Sequence, residues 1–391
     1  MKQIIRWALR IALALVLAAA VVGFWKRDDI RRLLAVNSLF EAENITHNFS
    51  HMDDLFFHAD VPRGTDQISP LVAGSLFDLP PEVESWIADR SVTALVILQD
   101  GKLRHESYYL DTGPDDRRIS WSVAKSFLSA LTGILIDEGT IPSLDVQVTD
   151  YAPSLKGSAY DGVTLQNVLQ MSSGVKFNED YLDYNSDINR MGRVLALGGS
   201  MDDFAASLKE RAWDPGTHMH YVSIDTHVLG MVLRGASGRT ITDLMTDKIL
   251  SHIGLEADPY YLTDGYGVEF VLGGLNLRTR DYARFGQLFA QGGEWDGQQV
   301  VPRDWVDAST VPSAPTEAGS IGYGYQWWIP QGGLPGQFTA QGIYGQFIWI
   351  DRGRNIVIAV NSSDRDFENQ GVQETHETMF RHIADLIAKA N

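Results

Sequence analysis

Hydrophobic and polar positions change their period several times along the chain. From Ile11 to Trp25 the sequence is continuously apolar, and Lys2, Arg6 and Arg10 precede it. If Arg10 snorkels, the apolar helix reaches back to Trp7 and measures about 28 Å at about 1.5 Å per residue, just enough to span a bilayer. Trp7 and Trp25 suit the two interfaces of such an anchor, whereas Ala18-Ala19-Ala20 suits the end of a cleaved secretory signal. A buried helix of a soluble protein is the third reading. Lys26, Arg27, Arg31 and Arg32 balance the upstream cations, so basic residues leave the orientation open. The anchor and signal readings both export the rest of the chain, as an inner-membrane-anchored periplasmic domain or as a secreted one. Residues 26–70 are mixed in charge, only weakly periodic, and read as a linker packing on the domain. Asn44-Ile45-Thr46 and Asn48-Phe49-Ser50 within it fit the N-glycosylation pattern.

Beyond residue 71 the period sharpens. Val92 to Leu98 has the composition of a buried strand, Asp100-Gly101 is a hairpin pair, and Leu103 to Tyr109 returns as a second strand. A second strand pair, Gly345 to Ile350 and Asn355 to Val360, flanks Asp351-Arg352-Gly353-Arg354, and Glu374 to Ala390 is amphipathic and helical. Helical periods fill the middle: Trp121 to Glu138, Leu165 to Met171, Met201 to Glu210, Ser223 to Ala236 and Ile241 to Ile253. Strands at both ends with helices between them predict one α/β (α+β) domain over 71–391. Its antiparallel sheet part covers about 71–150 and 265–391, and an α-rich lobe covers about 151–264. No repeat of period 20 to 50 is visible.

Composition narrows the function. With 32 Lys+Arg against 50 Asp+Glu the formal charge is −18, which argues against a nucleic-acid partner. There is no cysteine, so disulfides, thiolate metal sites and cysteine nucleophiles are excluded. Ser122-Val123-Ala124-Lys125 is the strongest local feature. Val123, Ala124, Phe127, Leu128, Ala130, Leu131, Ile134 and Leu135 make the following helix apolar nearly all round, so it is expected to be buried. Ser122 in its first turn stands within reach of Lys125 at i, i+3. A lysine among apolar neighbours loses solvation, its pKa falls, and it can take the serine proton. A serine N-cap followed by a snorkelling lysine is the plain alternative. Ser173-Gly174-Val175-Lys176 has the same spacing and acts as a control, because Gly174 breaks any helix that would put both side chains on one face.

Two further segments carry candidate chemistry. Pro215-Gly216 leads to Tyr221-Val222-Ser223, where a tyrosine beside a serine nucleophile can relay a proton to a leaving group; taken alone, Tyr221 also reads as a packing residue. His218 and His220, at i, i+2, are a poor metal pair, and no metal is expected. Ala340-Gln341-Gly342-Ile343-Tyr344-Gly345-Gln346 leads into the strand Phe347 to Ile350, where glycines allow a substrate to approach and a backbone N–H can donate to an oxyanion. A glycine-rich turn before a strand is the alternative.

In this order and at these separations the three segments resemble the serine β-lactamase and penicillin-binding-protein superfamily. The likeness is to its class C branch, with esterases, D-aminopeptidases and 6-aminohexanoate-dimer hydrolases. It runs from about Leu71 to the C-terminus and includes Leu165 to Gly174 and Gly273-Gly274-Leu275 through Arg284-Phe285-Gly286. The resemblance implies a β-lactamase-like fold, an antiparallel sheet of five or more strands flanked by helices, with the site in a cleft beside the α-rich lobe. It implies Ser122 as nucleophile, Lys125 as base, Tyr221 as proton shuttle, and the backbone N–H groups of Ser122 and Ile343 as the oxyanion hole. Gln341, Gly342, Tyr344, Gly345, Gln346 and Ser223 would contact substrate, a small-molecule or short-peptide ester or amide, without a cofactor. The Lys-Thr-Gly or His-Thr-Gly of the family is Ala340-Gln341-Gly342 here. The missing cation disfavours the competing assignment, a β-lactamase or D-alanyl carboxypeptidase. Ser122, Lys125 and Tyr221 together argue against a catalytically silent, membrane-anchored binding module.

Overall fold

The structure, a computed structural model, describes residues 2–65 and 67–389. Asp100 and Gly101 adopt φ of 51° and 71°, and this left-handed pair turns Val92–Gln99 back into Lys102–Tyr108. The hairpin forms one edge of a seven-stranded antiparallel sheet. Its order runs Lys102–Tyr108, Val92–Gln99, Ile356–Ser362, Gln346–Asp351, Gln337–Gly342, Trp328–Ile329, Gly322–Tyr323. Every residue of Val92–Gln99 is buried, and the pleat explains it. Leu95 and Ile97 point to one face, where Ile358 and Trp349 join them against Val83 and Trp86 of the helix Pro81–Asp89 and Phe380, Ile383 and Ile387 of the C-terminal helix. Val96 and Leu98 point the other way, into a larger core with Ile348, Ile350, Val357, Phe285 and Phe289. A strand covered on both faces needs no polar alternation, and its sequence has none.

The second face is packed closely. Gly286, in the helix Thr279–Ala290, lies so near the sheet that a Cβ there would stand 2.5 Å from Val357 and 2.7 Å from Ile348. Phe285 stacks on Phe127 with ring centroids 3.6 Å apart, joining that helix to Ala124–Asp137. Residues 124 to 135 of the latter are all buried, so this helix is the central pillar of the molecule. It is shorter than Trp121 to Glu138, because Trp121–Val123 forms a tighter 3-10 turn before it. The C-terminal helix runs Val372–Lys389; Ala390, the last residue of the expected helix, lies outside the described residues. The expected helix Ile241 to Ile253 is divided into Ile241–Met245, a wide π-helical turn Thr246–Leu250, and Ser251–Ile253.

Residues 26–65 contribute structure that the weak periodicity did not foretell. Arg27–Ser38 is a helix, and His58–Asp60 is the edge strand of a second, four-stranded sheet ordered His58–Asp60, Tyr260–Leu262, Leu275–Leu277, Arg118–Ile119. Leu39, Ile45, Phe49, Met52, Phe56 and Val61 enter the main core. They arrive singly from turns and short helices, so no one face repeats in sequence. Lys2–Trp25 is one helix, and Gln3–Trp25 is long and apolar enough to cross a membrane, with none of it packed against the rest of the protein. Lys26 N–H to Val22 carbonyl (2.8 Å) and Ile30 N–H to Lys26 carbonyl (2.9 Å) carry its hydrogen bonding into Arg27–Ser38.

Candidate active site

Ser122 sits on the 3-10 turn that enters the central helix, between the strand Arg118–Ile119 and Ala124. The turn is strained. Trp121, immediately before the serine, has φ of +43°, a left-handed conformation unfavourable for a bulky residue. Its indole is held among Phe40, Phe49 and Tyr344, at centroid distances of 5.8, 5.5 and 6.3 Å. The aromatic cluster thus fixes a turn that its own dihedral angles resist.

One helical turn later Lys125 is buried, and Nζ donates to Ser122 Oγ (2.9 Å), Ser223 Oγ (3.2 Å) and the Leu272 carbonyl (2.7 Å). Three acceptors match the three N–H donors of an ammonium; the neutral amine keeps two and turns its lone pair to one of the hydroxyls, with the nitrogen held by its own helical turn and by two segments 98 and 147 residues away. Desolvation pulls its pKa down to about 7, and the charge of Glu179 works in the opposite direction. The second Ser-x-x-Lys separates in space. Ser173 is buried and donates to Asp225 Oδ1 (2.8 Å), while Lys176 is exposed and pairs with Glu210 (2.6 Å).

Tyr221 lies across the cleft, with its ring centroid 5.4 Å from Lys125 Nζ and stacked on Trp328 at 5.3 Å. Burial and the charge of Glu179 raise the phenol pKa, and the Ser122 and Ser223 hydroxyls act against the rise. The phenol is therefore neutral at physiological pH. Ser223 Oγ donates to Glu179 Oε1, its N–H donates to Oε2 (2.9 Å), and the Tyr181 hydroxyl donates to Oε1 (2.7 Å). Glu179 is the main addition to the sequence reading. It lies in the acidic loop Asn178-Glu179-Asp180, where no motif distinguishes it from its solvated neighbours.

The third segment is strand rather than turn up to Gly342, because Gln337–Gly342 pairs along its whole length with Gln346–Asp351. Ile343, Tyr344 and Gly345 form the connection, with φ of 60° at Tyr344 and 81° at Gly345. Gly342 backs onto the serine turn so closely that a Cβ would stand 2.7 Å from the Ser120 carbonyl and 3.1 Å from the Ser122 nitrogen. Gln346 corrects the expectation of a substrate contact. Its amide donates to the carbonyls of Ser362 (2.8 Å), Tyr344 (3.1 Å) and Ile343 (3.3 Å), and its oxygen accepts from Asn361 Nδ2 (3.0 Å) and the Ser362 N–H (3.3 Å). Buried and used on every side, it braces the 343–345 turn. Gln341 accepts from Gln373 (2.6 Å) and leaves its own buried Nε2 without a partner among the described residues.

Two cavities meet at Ser122, Tyr181 and Ile343. One, about 290 Å³, is lined by Phe40, Met52, Ile188, Met191, Leu272 and Tyr344 among others. The other, about 570 Å³, is lined by Tyr221, Trp328, Gln341, Gly342, Gly345, Gln373 and Glu374 among others. The cleft at Ser122 is thus strongly apolar on one side and mixed on the other, where Gln341, Gln373 and Glu374 join aromatic walls.

The family model described as Beta-lactamase matches residues 84–378, three quarters of the chain. The chain belongs to the beta-lactamase family. Within this family it is 31% identical over 297 residues to a 6-aminohexanoate-dimer hydrolase of Paenarthrobacter ureafaciens, covering 72% of this chain and 75% of that one. A solved structure from Bacillus anthracis, provisionally described as a 6-aminohexanoate-dimer hydrolase, superposes with a TM-score of 0.81 at 26% identity. It covers 90% of this chain and 96% of its own. A D-stereospecific amidohydrolase from Streptomyces shares the fold, with a TM-score of 0.55 at 21% identity over 74% of this chain and 95% of its own. This beta-lactamase-family chain is accordingly a hydrolase of the serine β-lactamase and penicillin-binding-protein superfamily, built on an antiparallel sheet flanked by helices.

Proposed function

We propose that the protein hydrolyses a carboxylic ester or amide through an acyl-enzyme on Ser122. The observation that carries this reading is the buried Lys125 nitrogen placed 2.9 Å from Ser122 Oγ, with desolvation bringing its pKa to about 7. A neutral amine at that distance takes the hydroxyl proton as Oγ attacks the substrate carbonyl. The backbone N–H groups of Ser122 and Ile343, drawn together by Gly342, donate to the oxyanion. Tyr221 passes the proton to the leaving oxygen or nitrogen, and Glu179 holds Ser223 so that it faces Lys125. Water then attacks the acyl carbonyl, its proton returns through the same groups, and Ser122 is released. No step needs a cofactor.

The amide-cleaving names of the relatives support an amide as well as an ester. The exposed apolar helix supports an exported domain held at a membrane. With Ala340 and Gln341 in place of the usual cation, substrates that depend on a carboxylate contact there gain little. Short neutral esters are expected to exceed a chromogenic cephalosporin in kcat/KM.

A fluorophosphonate probe followed by peptide mapping tests the central step. Label is expected on Ser122, with hydrolysis of p-nitrophenyl acetate abolished in Ser122→Ala and circular dichroism unchanged. Label on Ser173, or undiminished turnover in the variant, overturns the reading.

A further inference from the structure

We infer that the apolar cavity beside Ser122 is the acyl pocket and that it selects a neutral aliphatic acyl group; this rests on the acyl-enzyme reading above. The two cavities can be told apart by the proton path. Tyr221, which serves the leaving group, lines only the mixed cavity, so the leaving group occupies that side. The acyl chain attached to the carbonyl at Ser122 extends into the other. That cavity contains Phe40, Met52, Ile188 and Met191, and at about 290 Å³ it stands at the small end of ligand pockets, roughly 300–1,000 Å³.

Its charge pattern sets the chemistry of the chain. Among the described residues lining it, Arg193 is the only formally charged side chain, and no carboxylate faces the space. Arg193 is itself directed to Tyr184, donating to its carbonyl at 2.8 Å and lying 4.2 Å over its ring. A 6-aminohexanoyl group would bring an ammonium into a mostly apolar space lined by no carboxylate, the nearest one, Glu179, standing behind Tyr181 and Ser223 and already engaged by their donors, so its desolvation is poorly compensated. A hexanoyl group of the same length carries no charge to desolvate. The chain therefore departs, in the acyl half of its substrate, from what the names of its relatives describe.

Gly192 supplies a direct probe. It lies in the helix Asp187–Ala196, lines this cavity, and a Cβ built on it meets nothing within 4 Å. A larger side chain there enters the pocket rather than the core.

The experiment measures kcat/KM on the full-length protein for p-nitrophenyl acetate, butyrate and hexanoate, and for the 6-aminohexanoate ester. A rise of about fourfold per methylene is expected, from the free energy of burying each CH2. Hexanoate should exceed 6-aminohexanoate at least tenfold. In Gly192→Phe, and more weakly in Gly192→Leu, the hexanoate-to-acetate ratio should fall at least tenfold, with cooperative melting verifying that each variant is folded. A flat or falling chain-length series, preference for the 6-aminohexanoyl ester, or an unchanged ratio in both folded variants overturns the inference. Ser122-dependent acetate hydrolysis with any of these results leaves the acyl-enzyme reading standing, whereas acetate hydrolysis that survives Ser122→Ala removes both.

Discussion

Lys125 shows how a single desolvated nitrogen links sequence to chemistry. Its neighbours along the helix are apolar, and the three oxygens that satisfy it come from Ser122, Ser223 and Leu272. Because the proposed base works only when neutral, kcat/KM is expected to fall on the acid side with a midpoint near pH 7, following its lowered pKa. Lys125→Ala should lose on the order of 10² or more in kcat, and Lys125→Arg should not restore it, since a guanidinium remains protonated. A fully active Arg variant in a steady-state pH profile would rule out the proton transfer. Asp225 presents the opposite sign. It is buried, accepts from Ser173 (2.8 Å) and Tyr160 (2.9 Å), and desolvation raises its pKa to about 7. Between the unfolded value near 4 and about 7 the folded state binds more protons than the unfolded chain, so this group lowers stability as pH rises through that window. Asp225→Asn is therefore expected to raise Tm at pH 8 and to do so less at pH 5. Equal shifts at the two pH values would show that the carboxylate is not the source.

At the scale of elements, the site depends on the contact between one strand end and one turn. Gly342 ends Gln337–Gly342 where the backbone of Ser120 to Ser122 passes, leaving no room for a methyl group. The contact sets the distance between the two N–H groups assigned to the oxyanion. Gly342→Ala must push the strand from the turn, and loss of one such donor costs roughly 10²–10³ in kcat. A loss in that range with KM little changed is the expected result, and a variant with wild-type kcat would remove Gly342 from the argument. The spatial pairing of Ser122 with Lys125 was legible because the motif and the buried helix lie within one continuous stretch. The separation of Ser173 from Lys176 was legible too, through Gly174. Glu179 and the bracing role of Gln346 were not, because each depends on a partner from chain folded back beside it: Ser223 lies 44 residues from Glu179, and Ser362 lies 16 from Gln346.

The whole molecule closes around a core that draws on nearly its full length. Six large apolar side chains from Leu39 to Val61 enter it, and each contributes about 1.5–3 kcal/mol on burial. Before the entropy of ordering the segment, their sum is comparable with the net stability of about 5–15 kcal/mol typical of a domain. A chain beginning at residue 26 is thus expected to melt cooperatively, and one beginning at residue 71 to expose apolar surface and bind a hydrophobic dye; a cooperative melt of the shorter chain would show residues 26–70 to be dispensable. Local pattern by itself determined the central helix, the Asp100-Gly101 hairpin, the pair of C-terminal strands and the Ser122–Lys125 couple. In each case the physical cause, whether a repeat of 3.6 or 2 or a left-handed turn, acts between near neighbours. Only the tertiary structure decided that residues 26–65 complete the core, that Glu179 joins Ser223, that Gln346 turns inward, and that an apolar and a mixed cavity meet at the serine. Those outcomes depend on desolvation and close approach between segments far apart in the chain, which no local period records.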